Sequence, residues 1–219
     1  MASLKESVPQ KMRRGAEIVK LLREEFPEPV CALDHEGPFQ LLVATILSAQ
    51  CTDIRVNKVT PALFQAASTP EAMVKLGEKR IRTLIKSINF FNNKAHNIWA
   101  ASKKLIQEHG SQVPSSLEKL VELPGVGRKT ANVVLGNAFG VPGVVVDTHV
   151  RRLSNRLNFT TQDDPVKIES ELEKLFPRED WVDLSHLLIL HGRKTCNARK
   201  PVCEGCLIAR FCPSRTVSL

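Results

Sequence analysis

The sequence predicts proline in the opening turn of a helix at three places, each behind a residue suited to capping: Gly37-Pro38, Thr69-Pro70 and Asp164-Pro165. Proline is tolerated there because the amide it lacks would have had no intrahelical partner. Ser115 with Glu118 three residues on reads as a capping box. Between these marks the apolar residues keep helical spacing. Phe39, Leu42, Val43, Ile46 and Leu47 make one face, and Ile98, Ala101, Leu105 and Ile106 make another. Leu184, Leu187, Leu188 and Leu190 predict a further, largely buried helix. The one strand-like run, Val144-Val145-Val146, is too short and isolated to build a sheet, and 11 glycines in 219 residues are few for a turn-rich β-sandwich. The pattern predicts an all-α fold of about ten short helices with brief connections.

Apolar residues at 42% and charged residues at 25% match a globular protein and argue against long disorder. No apolar run approaches the roughly 20 residues of a membrane span. The opening MASLKESVPQKMRRG lacks the apolar core of a secretory signal. These features predict a cytoplasmic protein with no membrane partner. With 31 Lys and Arg against 23 Asp and Glu, the net charge is +8 and the pI near 9.3. Such a balance suits a polyanion such as nucleic acid. Tyrosine is absent and aromatics reach 5%, which excludes a recognition surface built on many stacked rings.

Cys31 and Cys51 stand alone, whereas Cys196, Cys203, Cys206 and Cys212 crowd together as C-x6-C-x2-C-x5-C. In a reducing compartment such a cluster points to a metal site before a disulfide framework. Structural zinc sites more usually bring two close pairs, and here only Cys203 and Cys206 form one. A four-iron four-sulfur cluster tolerates wider spacing. The spacing therefore favours the cluster, with zinc and unligated or disulfide-bonded cysteines as the alternatives. Around these cysteines the chain is at its most basic: Arg193, Lys194, Arg199, Lys200, Arg210 and Arg215 face a single acid, Glu204.

Leu123-Pro124-Gly125-Val126-Gly127-Arg128-Lys129-Thr130-Ala131 follows one predicted helix and opens another. Two glycines two apart allow a tight turn whose successive amides, with the positive end of the next helix, bind a phosphate without reading sequence. A plain helix–helix turn is the alternative. A lysine at a helix N-terminus runs against the dipole, whose field favours the free amine that a nucleophile needs. Lys129 is thus a candidate nucleophile, or else a phosphate contact. Asp147 ends the apolar Val144–Val146 run and precedes a predicted helix, so it reads as an N-cap that could also stabilise a developing cation. His149 reads as structural or as a phosphate neighbour.

LPGVGRKTANVVL, then VDTH, then the cysteine loop resemble the endonuclease III family of DNA glycosylases, in the superfamily named for its helix-hairpin-helix, Gly/Pro-rich loop and aspartate. Leu47-Ser48-Ala49-Gln50 and the run from Arg193 to Pro201 match as well, and the resemblance spans roughly residues 15–213. The resemblance implies two helical domains flanking a DNA-binding cleft. One, residues 31–141, is a six-helix barrel with the hairpin; the other joins residues 1–30 to 142–219 and holds the cluster. It also implies that Lys129 and Asp147 are catalytic and that Cys196, Cys203, Cys206 and Cys212 ligate one 4Fe-4S cluster. The resemblance further implies that Gln50, Phe90, Gly125, Gly127, Arg128, Thr130, His149, Arg199 and Lys200 are DNA-contacting positions, with Gln50 filling the gap left by an extruded base.

Two positions depart from the family pattern. Phe90 stands where a leucine wedge is common, and Cys51 follows Gln50 where alanine is usual. The activity implied is that of a monomeric, bifunctional glycosylase and abasic-site lyase acting on oxidised pyrimidines, such as thymine glycol, in duplex DNA. Damaged duplex DNA or an abasic site is then the partner, and the nucleoid of a bacterial or archaeal cell the expected location. A monofunctional adenine-mispair glycosylase is the rival, but that branch lacks the nucleophilic lysine and carries a further C-terminal domain. A non-catalytic DNA-binding iron-sulfur protein is the other rival, and it would not need both Lys129 and Asp147.

Overall fold

The computed structural model describes residues 6–216. Among them run eleven α-helices: α1 (Val8–Glu25), α2 (Gly37–Ser48), α3 (Asp53–Ala66), α4 (Pro70–Leu76), α5 (Glu78–Leu84), α6 (Phe91–His109), α7 (Leu117–Val121), α8 (Arg128–Phe139), α9 (Thr148–Arg156), α10 (Pro165–Leu175) and α11 (Trp181–Lys194). Two 3₁₀ turns, Arg178–Asp180 and Ala209–Phe211, complete the elements, and no strand occurs among the described residues. The fold is all-α, as the helical periodicity predicts. No helix among the described residues is long and apolar enough to cross a membrane.

Local chemistry places the helix starts. Thr69 and Asp164 cap α4 and α10, accepting hydrogen bonds from the amides of Ala72 at 3.2 Å and Lys167 at 3.0 Å. Two expectations shift. Ser116, not Ser115, caps α7, its Oγ accepting from the Lys119 amide at 3.4 Å; Glu118 then falls one residue short of the reciprocal position, and no box forms there. The capping box lies instead at the start of α1, between Ser7 and Gln10. At α2 the cap is Glu36 rather than Gly37, and the Gln40 side chain accepts from the Glu36 amide at 2.9 Å.

The chain forms two compact units: residues 31–141, and the described residues up to Val30 with those from Pro142 onward. In the first, α2 packs against α3, α6 and α8, while α4 and α5 lie on α6. Every residue from Gln40 to Leu47 is buried, so α2 is the central helix rather than one with a single inward face. Truncating one of its leucines to alanine would cost about 2–5 kcal/mol, against about 1 kcal/mol for a lost cap. Core packing therefore outweighs the helix-end signals.

The second unit packs α1 on α10 and α11, and α9 on α10 and α11. Ile18, Leu22, Val150, Leu153, Phe159, Leu172, Leu184 and Leu188 form its core. Leu190, expected inside with its neighbours, is only half-buried, because it falls off the inward stripe of α11. The Val144–Val146 run is buried as extended chain, and the Val145 amide donates to Ser185 Oγ on α11 at 2.9 Å.

Candidate functional site

In the unit of residues 31–141, the link between α7 and α8 closes as a tight turn. The Val126 amide donates to the Leu123 carbonyl at 3.1 Å, and the Ala131 amide donates to that of Gly127 at 3.0 Å. Gly125 is required twice over. Its φ of +78° is the left-handed region, and an added Cβ would stand 2.8 Å from the Asn97 side chain on α6. Val126 plugs into the core, which leaves Gly125 and Gly127 exposed on either side of it. Gly127 is the N-cap of α8, and no side chain caps that helix end. Arg128, Lys129 and Thr130 occupy its first turn, with Arg128 and Lys129 exposed.

The same unit carries Gln50 and Phe90. Gln50 lies beyond the end of α2, in the turn Ala49–Gln50–Cys51, with φ +54°; Phe90 is the N-cap of α6, with φ +57° and 62% of its surface exposed. Both are non-glycine residues in left-handed backbone, a conformation that persists only where neighbours enforce it. Asn89 Nδ2 donates to the Gln50 carbonyl at 2.9 Å, joining the two turns. Gln50, Cys51, Thr52, Arg55, Ser87 and Asn89 line one surface depression.

In the other unit, Asp147 caps α9. Its Oδ1 accepts from the amides of His149 and Val150, each at 2.8 Å, and among the described residues Oδ2 accepts none. One carboxylate oxygen thus starts the helix, and the other takes no part in the cap. The buried valines and the Val145–Ser185 bond hold the chain just before it. His149 lies against Arg152 Nη2 at 3.1 Å, and an added Cβ on Gly192 would meet its Nδ1 at 2.9 Å. Burial pushes the His149 pKa down, with Arg152 and Arg193 adding to it and Asp147 opposing, so the ring favours its neutral form.

The four clustered cysteines line a single small cavity, which Arg156 and His191 also line. All six cysteines of the chain are free of disulfides. Burial pushes the Cys206 and Cys212 thiols up, and the neighbouring thiols push the same way. Hydrogen bonds with Thr216 draw Cys203 down. Arg156 Nη1 donates to Cys196 Sγ at 3.1 Å and to the Asn197 carbonyl at 2.8 Å, and its Nη2 donates to that of Ala198 at 2.8 Å. Arg152 Nη2 holds the carbonyls of Gly192 and Cys196, each at 3.0 Å. His191, 1% exposed, stands 3.3 Å from Glu25 and 3.5 Å from Cys206 Sγ. Arg199 and Lys200 are exposed in the loop between Cys196 and Cys203. Nothing in the sequence marks Arg152 or Arg156 as loop clamps, since each sits in an ordinary basic helix.

A family profile described as "HhH-GPD superfamily base excision DNA repair protein" matches residues 43–178. Endonuclease III of Synechocystis sp. is 51% identical over 219 residues, all of both chains. Endonuclease III of Escherichia coli K12 is 48% identical over 196 residues, 90% of this chain and 93% of its own. A trapped covalent intermediate of endonuclease III with DNA superposes with a TM-score of 0.88 at 41% identity, covering 93% of this chain and 96% of that one. With a matching profile across the hairpin and Asp147, and close relatives along its whole length, this chain belongs to the endonuclease III family of HhH-GPD base excision DNA repair proteins.

Proposed function

We propose that Lys129 is the nucleophile and Asp147 the charge-stabilising carboxylate of this DNA glycosylase and abasic-site lyase, which removes oxidised pyrimidines from duplex DNA. The observation that carries the reading is Lys129 itself, an exposed amine on the first turn of α8 directly after the hairpin turn. A relative of the same family has been captured bound covalently to DNA.

A base inside a duplex is out of reach, so the target nucleotide must leave the stack. Phe90 wedges the stack apart and Gln50 fills the gap. The free amine of Lys129 bonds to C1′ as the glycosidic bond breaks, and that bond's electron pair leaves with the base. Asp147, through the oxygen that caps no helix, stabilises the positive charge on the sugar and accepts a proton from the lysine nitrogen. The C1′–O4′ bond then breaks, its electron pair staying on O4′, which takes up a proton, and the Schiff base forms between C1′ and the lysine nitrogen. The Schiff base acidifies the C2′ proton; its loss expels the 3′ phosphate and nicks the strand. Gly125, Gly127, Arg128 and Thr130 hold phosphate at the hairpin and helix start, while His149, Arg199 and Lys200 add sequence-independent contacts.

Cys196, Cys203, Cys206 and Cys212 hold one 4Fe-4S cluster in this reading. Their side chains line one cavity, and the C-x6-C-x2-C-x5-C spacing brings only one close pair. A centre larger than one ion suits that spacing better than zinc. When bound, the cluster ties together four points of a loop that has little regular structure of its own. Arg152 and Arg156 hold the loop carbonyls around Cys196, which fixes the position of that residue.

Borohydride treatment during reaction with duplex DNA bearing a single thymine glycol should yield a covalent adduct, with Lys129 as the modified residue on peptide mapping. An adduct on a preformed abasic site alone would keep the lyase and remove oxidised pyrimidines as the substrate. Modification at another residue would overturn the assignment of Lys129. Asp147→Asn separates the two roles of that carboxylate, because asparagine caps a helix as well as aspartate does. Base release should slow by about a hundredfold with the melting temperature nearly unchanged. Unchanged kinetics would reduce Asp147 to a cap.

A further inference from the structure

Lys94 is buried on α6, only 5% exposed, on the same stripe as Ile98, Ala101 and Leu105. Its Nζ donates to the carbonyls of Leu47 at 2.8 Å and Ala49 at 2.6 Å, both at the end of α2. The Cys51 amide donates to the Ser48 carbonyl at 3.0 Å, so with the Asn89 bond to the Gln50 carbonyl the turn around Gln50 hangs from four hydrogen bonds. At its backbone, the Lys94 amide donates to the Phe90 carbonyl at 3.1 Å. One residue therefore reaches both exposed, left-handed positions: Phe90 through its main chain and the Gln50 turn through its side chain. Asn89 closes the loop with its bond to the Gln50 carbonyl.

A buried ammonium bonded to carbonyls is a poor way to stabilise a core, since an apolar chain of similar volume escapes the desolvation penalty. Burial pushes the Lys94 pKa down, with the Cys51 thiol opposing. What the ammonium supplies, and methionine could not, is a set of directed donors at a helix C-terminus, where a cation is favoured. We propose that Lys94 is a positioning residue that registers Gln50 against Phe90, so that the two enter the duplex as one unit. The proposal rests on the reading of Gln50 and Phe90 as DNA-inserting residues.

The test uses 2-aminopurine beside thymine glycol in a duplex, whose fluorescence rises as the neighbouring base leaves the stack. Lys94→Met should slow that rise by about tenfold, the loss expected from removing a pair of charge-assisted hydrogen bonds. Gln50→Ala should slow it as well, and the double variant should be no slower than Gln50→Ala alone, because the lysine acts through the glutamine. Rates that multiply in the double variant would overturn the proposal, placing the effect of Lys94 elsewhere. A normal rise with Lys94→Met, beside a slow one with Gln50→Ala, would overturn it while sparing the inserting role of Gln50. A normal rise with Gln50→Ala would remove that role, and the proposal with it.

Discussion

Lys129→Ala should all but abolish strand cleavage at a damaged base and leave DNA binding largely intact. Losing the nucleophile removes the covalent route altogether, so the rate should fall by at least about a thousandfold, limited by whatever hydrolysis the rest of the site supports. The fold gives no reason for collateral damage. Lys129 is exposed on the first turn of α8. Alanine is the better helix former, and deleting a cation beside the positive end of the dipole relieves a small repulsion. Binding should weaken only modestly, with a salt dependence shallower by about one phosphate contact at most. Single-turnover nicking, borohydride trapping and a gel-shift titration measured together decide the matter. Loss of binding in step with loss of cleavage would recast Lys129 as a phosphate contact.

Cys206→Ser should strip the iron. Serine keeps the volume but replaces a soft thiolate with a hydroxyl that iron-sulfur clusters seldom accept. Wild-type protein should carry about four iron atoms per chain and a yellow-brown colour, and the variant should lose most of both. Cys206, Cys212 and Phe211 pack against the core of α1 and α9–α11, so that unit should loosen along with the loop. A fall in melting temperature of about 10 °C follows if several kcal/mol of ligation are lost. Cys31→Ser, in the other unit and outside the loop, is the control and should retain full iron. Zinc in the wild-type protein, or full iron in Cys206→Ser, would overturn the cluster assignment.

The helical class could be read from punctuation and spacing because those signals are local. Thr69 and Asp164 cap where their side chains and the following prolines say they should. Ser115 and Ser116 show the limit. Two adjacent serines compete for one cap, and the helix register decides in favour of Ser116. Leu190 shows another: its hydrophobicity says inside, but its angle on α11 leaves it half-buried. The all-round burial of α2 was half legible, since its apolar run lies across one face and spills onto others.

Lys94 left a signal that spacing analysis passes over. It occupies a stripe position, and a lysine among Ile98, Ala101 and Leu105 invites the question of what it bonds to. Its acceptors, 47 and 45 residues earlier, are visible only in three dimensions. Arg156 is illegible for the same reason: its carbonyl partners Asn197 and Ala198 lie 41 and 42 residues away.

The discontinuous unit has a consequence for synthesis. Residues 31–141 form one compact unit from a single stretch of chain, so it can fold as soon as it leaves the ribosome. α1 has no such freedom. Ile18, Val19 and Leu22 find their core only with α10 and α11, which are made after that whole unit. At 5–20 residues per second the delay is roughly ten to thirty seconds, during which an apolar helix face stays open to any passing surface. A nascent-chain crosslinking series should therefore find chaperones on α1 until α11 has emerged.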